Sequence, residues 1–253
     1  MAEALERIKL TIAYDGRPFS GWQSQADSNG VQDHIEAAFL TVAGLRLRIH
    51  GSGRTDAGVH ALAQIAHADV PRGHLAPATW QAALNANLPH GIRIIRAARV
   101  RGGEDGFHAR FSATGKRYVY RLWNAPWMHP LEIGRAWHVP RTLDLALLRA
   151  AAAKLTGRHD FARFTANRGR KETDTVRMIR SIRVQSRGPL ITLTFEGDGF
   201  LYKMVRLLTG TIVRVAEGRA PVSFITDLLN PHVRARTHFM GVAEGLYLSR
   251  VFY

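Results

Sequence analysis

The stretch IKLTIAYDG, residues 8–16, alternates apolar and polar side chains and then ends in Asp15-Gly16. A two-residue period is typical of a strand with one buried face, and Asp-Gly is a common turn. The following segment, residues 31–43, has apolar side chains at helical spacing. These side chains are Val31, Ile35, Ala38, Phe39 and Val42. The chain is therefore predicted to open with a strand and an amphipathic helix.

The same patterns continue through the first half of the chain. Alternation predicts strands over residues 45–50, 64–70 and 92–100, and a helix is predicted over about residues 78–84. The order β-α-β-β-α-β is that of a split-βαβ unit.

The second half repeats this plan. Strands are predicted over residues 116–123, 176–185, 190–195 and 246–252, and helices over residues 143–155, 201–215 and 222–229. Thr142 or Asp144 is expected to cap the first of these helices. We therefore predict an α+β fold with two similar split-βαβ lobes, ferredoxin-like or RRM-like, with mainly antiparallel sheets and a catalytic cleft between them. The predicted lobes are residues 1–106 and 107–253.

The composition indicates the kind of partner. The net charge is +15, and only five of the 35 basic residues are lysine. An excess of positive charge favours a polyanion, and RNA or DNA comes first. The high share of arginine suits contacts to phosphate and bases, although a GC-rich genome explains that share equally well. The basic residues are dispersed, which argues against binding to a membrane surface.

Several classes of protein are disfavoured. The absence of cysteine excludes disulfides and thiolate chemistry and suits the cytoplasm. We find no apolar run of the roughly 20 residues that a membrane-spanning helix needs. The N-terminal sequence MAEALERIK does not have the pattern of a signal peptide.

Two polar segments do not fit the α/β pattern. Residues 101–104 (RGGE) are predicted to form a mobile turn near the boundary between the lobes. Residues 167–173 (NRGRKET) are either a solvated loop or an arm that contacts RNA, and the sequence favours neither.

The most unusual segment is GSGRTDAGVHA, residues 51–61, where small residues surround one arginine and one aspartate. Glycines let a backbone approach a ligand closely. Taken alone, an aspartate in such a loop is more often a turn former than a catalytic group.

This segment resembles the catalytic motif of the tRNA pseudouridine synthase A (TruA) family. Other motifs of that family occur in the same order along the chain: Tyr14-Asp15-Gly16, Gly21-Trp22-Gln23, Asn85-Ala86-Asn87-Leu88-Pro89, residues 107–113 with Arg117-Tyr118, Met204-Val205-Arg206 and Glu244-Gly245-Leu246-Tyr247-Leu248. One short motif is weak, but an ordered series over nearly the whole chain is specific.

The resemblance implies the site residues. Asp56 is implied as the catalytic carboxylate, and Arg206 as the cation that keeps it ionised against desolvation. Tyr118 is implied to stack on uracil, and Arg54 to fill the space left by the flipped base. Leu246 is implied as an apolar floor, with Leu248 as the alternative.

The resemblance also implies the reaction and its partners. The substrate is the anticodon arm of tRNA, at uridines conventionally numbered 38, 39 and 40, and the enzyme is a homodimer. The isomerisation involves no net redox change, so no cofactor and no metal are expected. A metal site built on Asp56, His60, His67 and Asp69 is disfavoured, because Asp56 and His60 lie in a glycine-rich loop and not on one face of a helix.

Two other functions remain open at this point. A non-catalytic RNA-binding protein would have the same charge and no use for Asp56. A metal-dependent nuclease or phosphotransferase would use aspartate and histidine, and its activity would be lost in EDTA.

Overall fold

The computed structural model describes residues 4–166 and 174–253. The chain divides into two compact units, Met1–Thr114 with Leu248–Tyr253, and Gly115–Tyr247. These units differ in extent from the predicted lobes, whose division after residue 106 stays a prediction. The segment 107–114 belongs with the first unit because the Ala109 amide donates to His67 Nδ1 (3.1 Å) and the Thr114 amide to the Phe252 carbonyl (2.9 Å).

The first unit has the predicted split-βαβ plan. Its elements are β1 (Leu5–Tyr14), α1 (Val31–Ala43), β2 (His50–Gly51), β3 (His60–Pro71), α2 (Pro77–Asn87) and β4 (Ile92–Val100). Strand β1 pairs antiparallel with β3 and β4, and β3 also pairs antiparallel with the two-residue strand β2.

The core of the first unit follows the two periodicities of the sequence. In β1, Ile8, Leu10 and Ile12 are fully buried, as the alternation predicts. Helix α1 begins after Gly30, whose amide donates to the Asp33 carboxylate (2.9 Å). It ends at Gly44, which has the left-handed conformation (φ +68°) that glycine adopts without strain.

The predicted strand over residues 45–50 is wrong for all but its last residue. Only His50 and Gly51 pair with β3, opposite His67 and Ala66. The Ile49 amide donates instead to the Glu36 carboxylate (3.1 Å), so this backbone donor is engaged by a side chain of α1. Alternating side chains do not make a strand where the backbone groups bond elsewhere.

The second unit repeats the plan with additional strands. Its elements are β5 (Gly115–Trp123), β6 (Trp137–His138), α3 (Leu145–Lys154), β7 (Gly157–Asp160), β8 (Val176–Arg187), β9 (Leu190–Gly197), α4 (Met204–Ala216) and α5 (Ser223–Leu229). Strand β9 lies between β5 and β8, antiparallel to both, as β3 lies between β1 and β2. The mixed α/β fold with mainly antiparallel sheets is thereby confirmed. The final strand, β10 (Leu246–Phe252), has the predicted limits.

Helices α3 and α4 begin two and three residues later than predicted, and α5 begins one residue later, at Ser223. Helix α3 begins at Leu145, and Asp144 is its cap, accepting from the amides of Ala146 (2.7 Å) and Leu147 (3.0 Å). Helix α4 begins at Met204 rather than residue 201, because Lys203 has a left-handed backbone (φ +58°) that interrupts helical geometry.

The two polar segments that did not fit the α/β pattern have different outcomes. Residues 101–106 form a turn, closed by the Phe107 amide donating to the Arg101 carbonyl (2.8 Å). The basic segment 167–173 lies outside the described residues. Within the described ranges, every helix is too short or too polar to span a bilayer.

Candidate active site

The loop between β2 and β3 carries two of the predicted site residues, Arg54 and Asp56. Arg54 is exposed and Asp56 is half-buried. The Asp56 carbonyl accepts from the Val59 amide (3.1 Å), and Gly58 has a positive φ of +78°. This is the geometry of a type II turn, in which glycine relieves strain at the third position. The turn begins at Asp56 itself and therefore fixes the backbone that carries the carboxylate.

The residue before Asp56 anchors the loop to the core. Thr55 Oγ1 lies 2.7 Å from the Tyr14 hydroxyl, and both side chains are buried. The Thr55 carbonyl accepts from the Trp22 amide at 3.1 Å. Burial raises the pKa of Tyr14, so its hydroxyl stays neutral and available for hydrogen bonding. Asp56 is therefore flanked by a residue with little freedom to move.

Two glycines let the chain pass directly beside this loop. A Cβ on Gly16 would overlap the Val59 carbonyl oxygen. A Cβ on Gly21 would lie 2.7 Å from the Thr55 carbonyl oxygen, and Gly21 also has a positive φ of +97°. The motifs Tyr14-Asp15-Gly16 and Gly21-Trp22-Gln23, separate in the sequence, thus both contact the segment that contains Asp56.

A buried glutamine holds the other end of the loop. Gln64 on β3 is fully buried. Its Oε1 accepts from the Ser52 hydroxyl (2.6 Å) and its Nε2 donates to the Gly53 carbonyl (2.9 Å). This role of Gln64 was not predicted from the sequence. The available signal was an amide side chain at a position of β3 that the strand pattern places among apolar residues.

We expect Gln64→Leu to lower the free energy of unfolding by about 2 kcal/mol, because the Ser52 hydroxyl and the Gly53 carbonyl lose their partner inside the protein. Urea denaturation measures this change. Gln185→Leu is the matched control, since Gln185 is exposed on β8. Equal unfolding midpoints for the two variants would contradict the importance of the Gln64 hydrogen bonds.

The second unit carries Tyr118 and Arg206. Tyr118 lies on β5, is 8% exposed, and meets Phe200 edge to face, with ring centroids 5.2 Å apart. Arg206 lies in the first turn of α4, and its Nε donates to the Gly241 carbonyl (2.9 Å). The Gly241 amide donates back to the Arg206 carbonyl at 3.0 Å. The stem of Arg206 is therefore held at a fixed place on the unit.

The two candidate leucines are both buried, so burial does not choose between them. Leu246 is 6% exposed and Leu248 is 1% exposed. Leu246 follows Gly245, where a Cβ would lie 2.7 Å from the Tyr120 ring. Tyr120 itself is fully buried, and its hydroxyl donates to the Val242 carbonyl (2.6 Å). These contacts form a packed base for the start of β10.

The residues of the disfavoured metal site have other partners. His60 Nδ1 accepts from the Gly16 amide (3.2 Å), and Asp69 forms two hydrogen bonds of 2.7 Å with Arg7. Among residues 4–166 and 174–253, we find no group of three or more histidines and acidic residues that could hold a metal ion. The expected absence of a metal stays a prediction.

His67 is a buried histidine of β3 whose pKa is shifted. Its pKa is lowered from the ordinary 6.5 to about 4, chiefly by burial and also by the nearby Arg7, His108 and His50, whereas Asp69 acts in the opposite direction. The unfolded chain therefore binds a proton between pH 6.5 and pH 4 that the folded chain does not. This contribution to stability is complete above pH 6.5 and is lost as the pH falls toward 4.

We expect His67→Gln to reduce the loss of stability between pH 7.5 and pH 5 by on the order of 2 kcal/mol. Urea denaturation at several pH values gives the free energy of unfolding as a function of pH. The variants are compared by the slope of this dependence. A loss of stability that is the same at every pH does not change the slope. His232→Gln is the control, because His232 is exposed. A slope unchanged by His67→Gln would show that another group causes the pH dependence.

The sequence pattern of a family described as tRNA pseudouridine synthase matches residues 10–112 and 151–253. The chain belongs to this family. It is accordingly an enzyme, an isomerase acting on tRNA, and a non-catalytic RNA-binding protein is excluded as its function.

Individual relatives agree with the family. A tRNA pseudouridine synthase A of Akkermansia muciniphila is 46% identical over 98% of this chain and 96% of its own length. Relatives of the same name from Solidesulfovibrio magneticus and Nitrobacter hamburgensis are 44% and 40% identical, each over 98% of this chain. The family is thus shared along nearly the whole chain.

A solved structure shows a weaker likeness. A chain in the crystal structure of a Cbf5-Nop10-Gar1 complex aligns with a TM-score of 0.42 and 11% sequence identity. The alignment covers 96% of this chain and 49% of that chain. A likeness of this size does not bear on the site.

Proposed function

We propose that this enzyme converts uridine to pseudouridine at positions 38, 39 and 40 of the tRNA anticodon arm, with Asp56 as its essential carboxylate. The observation that carries the proposal is the anchoring of the Asp56 loop by Tyr14, Gly16 and Gln64. A catalytic group acts well when its neighbours hold it in one geometry before the substrate arrives. The positions in tRNA come from the family resemblance.

The bonds that break and form in the reaction determine what Asp56 must do. The N1–C1′ bond breaks, the uracil rotates, and a C5–C1′ bond forms. The proton on C5 is released, and N1 gains a proton. An ionised carboxylate near the ribose serves this chemistry either by attacking C1′ or by removing the proton from C2′. A primary isotope effect with uridine deuterated at C2′ would indicate proton removal, and its absence would indicate attack at C1′.

The other site residues have complementary roles in this proposal. Tyr118 stacks on the detached uracil, Arg54 occupies the space of the flipped base, and Leu246 provides an apolar surface. Arg206 supplies the positive charge that keeps Asp56 ionised. The firm attachment of Arg206 to Gly241 supports a positioning role for its guanidinium.

We also propose a homodimer that acts in the cytoplasm without a cofactor. The family resemblance supports the dimer, and the absence of cysteine suits a reducing compartment. Light scattering in solution tests the dimer, since the mass should be twice that of one chain.

Mapping of the product tests the proposed positions. Purified protein is incubated with tRNA bearing uridine at 38, 39 and 40, in the presence of EDTA, and carbodiimide-induced stops of reverse transcription locate pseudouridine. Matched tRNAs with cytidine at these positions are the control. We expect stops at the three uridines and none in the control. Stops elsewhere would refute the positions, and intact RNA without stops would refute the activity.

A further inference from the structure

A basic groove lies on the second unit between α3 and β8. It has a volume of about 460 Å³, and two arginines, Arg149 and Arg180, stand at its sides. Thr156 and Ser181 add hydroxyl groups, and Ile182 and Val184 add apolar surface. Every residue that lines the groove is basic, hydroxylic or apolar, and none is acidic.

The helical side of the groove follows from residue spacing. Arg149, Ala153 and Thr156 are separated by four and then three positions, which places them on one face of α3 and its C-terminal end. Arg149 and Thr156 are both exposed. Thr156 Oγ1 donates to the Ala152 carbonyl (3.3 Å), which leaves its lone pairs for a donor and fixes its orientation.

An irregularity of the sheet sets the position of Arg180. The pairing of β8 with β9 shifts register between Ile179 and Ser181, so Arg180 is the extra residue of a β-bulge. Bulges re-aim side chains and recur beside functional sites. A Cβ on Gly115 would lie 2.5 Å from a guanidinium nitrogen of Arg180, so glycine at this position provides the room that the Arg180 side chain occupies.

The positive charge of the groove comes from Arg149 and Arg180. Arg183 and Arg187 alternate with Ile182 and Val184 along β8, so they lie on the opposite face of the sheet and do not add to this charge. The whole chain has a net charge of +15, so an acidic polymer is the complementary partner.

We propose that this groove binds the phosphodiester backbone of the RNA substrate. Arginine and hydroxyl side chains are the usual protein partners of phosphate oxygens, and such contacts position a nucleic acid without reading its sequence. The groove therefore contributes affinity and orientation rather than chemistry. The inference rests on the proposed function only in taking RNA as the ligand.

The test compares Arg149→Ala/Arg180→Ala with Lys154→Ala. Lys154 is an exposed cation on the same helix that does not line the groove. Each substitution removes one positive charge, so Lys154→Ala controls for the loss of a charge outside the groove. The dissociation constant for unmodified tRNA is measured by filter binding from about 50 to 200 mM salt. Thermal unfolding of both variants confirms that they fold.

We expect the double variant to bind tRNA about tenfold more weakly at 100 mM salt, with the slope of log K against log salt reduced by about 1.5 to 2. The Lys154→Ala variant should lose far less. The turnover number of the double variant at saturating tRNA should equal that of the wild type, which separates this proposal from the proposed role of Asp56. Arg149→Lys/Arg180→Lys should restore most of the slope, because the charge is retained.

Three outcomes would overturn the groove as an RNA site. These are wild-type affinity in the double variant, weaker binding without a change in the salt slope, and an equal loss in the Lys154→Ala control. Failure of the wild type to form pseudouridine would refute the proposed function alone, because the binding measurement needs no turnover.

Discussion

We expect Asp56→Asn to abolish pseudouridine formation while tRNA binding remains. Asparagine has nearly the same shape as aspartate, so the turn that begins at residue 56 and the contacts of Thr55 are retained. An amide can neither attack C1′ nor accept a proton from C2′ at neutral pH. The turnover number should fall by at least about 10³-fold, the scale seen when a group that acts in the chemical step is removed.

Nucleoside chromatography of digested tRNA measures this loss, and filter binding measures the affinity. Asp105→Asn is the control, because Asp105 is an exposed aspartate in the turn before residue 107. The affinity of Asp56→Asn for tRNA should stay within about twofold of wild type, since phosphate contacts dominate such binding. A variant that retains a tenth of the wild-type turnover would remove Asp56 from the chemistry.

Among glycine-to-alanine substitutions in the first unit, we expect Gly16→Ala to lower the free energy of unfolding most. The added Cβ would overlap the Val59 carbonyl oxygen, and both partners are backbone, so neither can rotate away. Relief requires the segment after Asp56 to move. The free energy of unfolding should fall by about 3 kcal/mol or more, and the turnover number should fall with it.

Gly199→Ala is the matched control. Gly199 lies in the second unit, and a Cβ there would meet the Arg177 side chain at an ordinary 3.6 Å. Urea denaturation and turnover of the two variants should differ widely. If Gly16→Ala were as stable and active as Gly199→Ala, the close packing of the Asp56 loop on Gly16 would be incorrect.

The elements with strong local signals could be predicted from sequence. Helix α1 has its predicted limits because its apolar spacing begins after Gly30 and ends at Gly44, where glycine permits the left-handed conformation. Strands β4 and β10 also have their predicted limits. In these cases the periodicity and the flanking residues indicate the same boundary.

Two mispredicted elements follow from features of the backbone that the periodicity of the sequence does not indicate. Residues 45–49 alternate as a strand does, but the Ile49 amide bonds to Glu36 and not to a neighbouring strand. The late start of α4 depends on a left-handed Lys203, a conformation that its side chain does not favour. Neither feature has a local sequence signal.

In the candidate site, too, some residues could be assigned from the sequence and others could not. Asp56 and Arg54 could be found because small residues and a family motif surround them. Gln64 and Tyr14, which support the loop through side-chain hydrogen bonds, could not be assigned this role, because their partners lie 11 and 41 residues away in the chain. The roles of Tyr118, Arg206 and Leu246 rest on the resemblance and stay predictions.

Release of tritium from tRNA that carries uridine labelled at C5 tests the central claim most directly, because the new C5–C1′ bond displaces the hydrogen on C5. Enzyme in excess over tRNA limits the reaction to one turnover, so product release does not affect the result. We predict that the wild type releases one tritium for each pseudouridine formed and that Asp56→Asn releases none above background. Equal release by the two proteins would contradict the account.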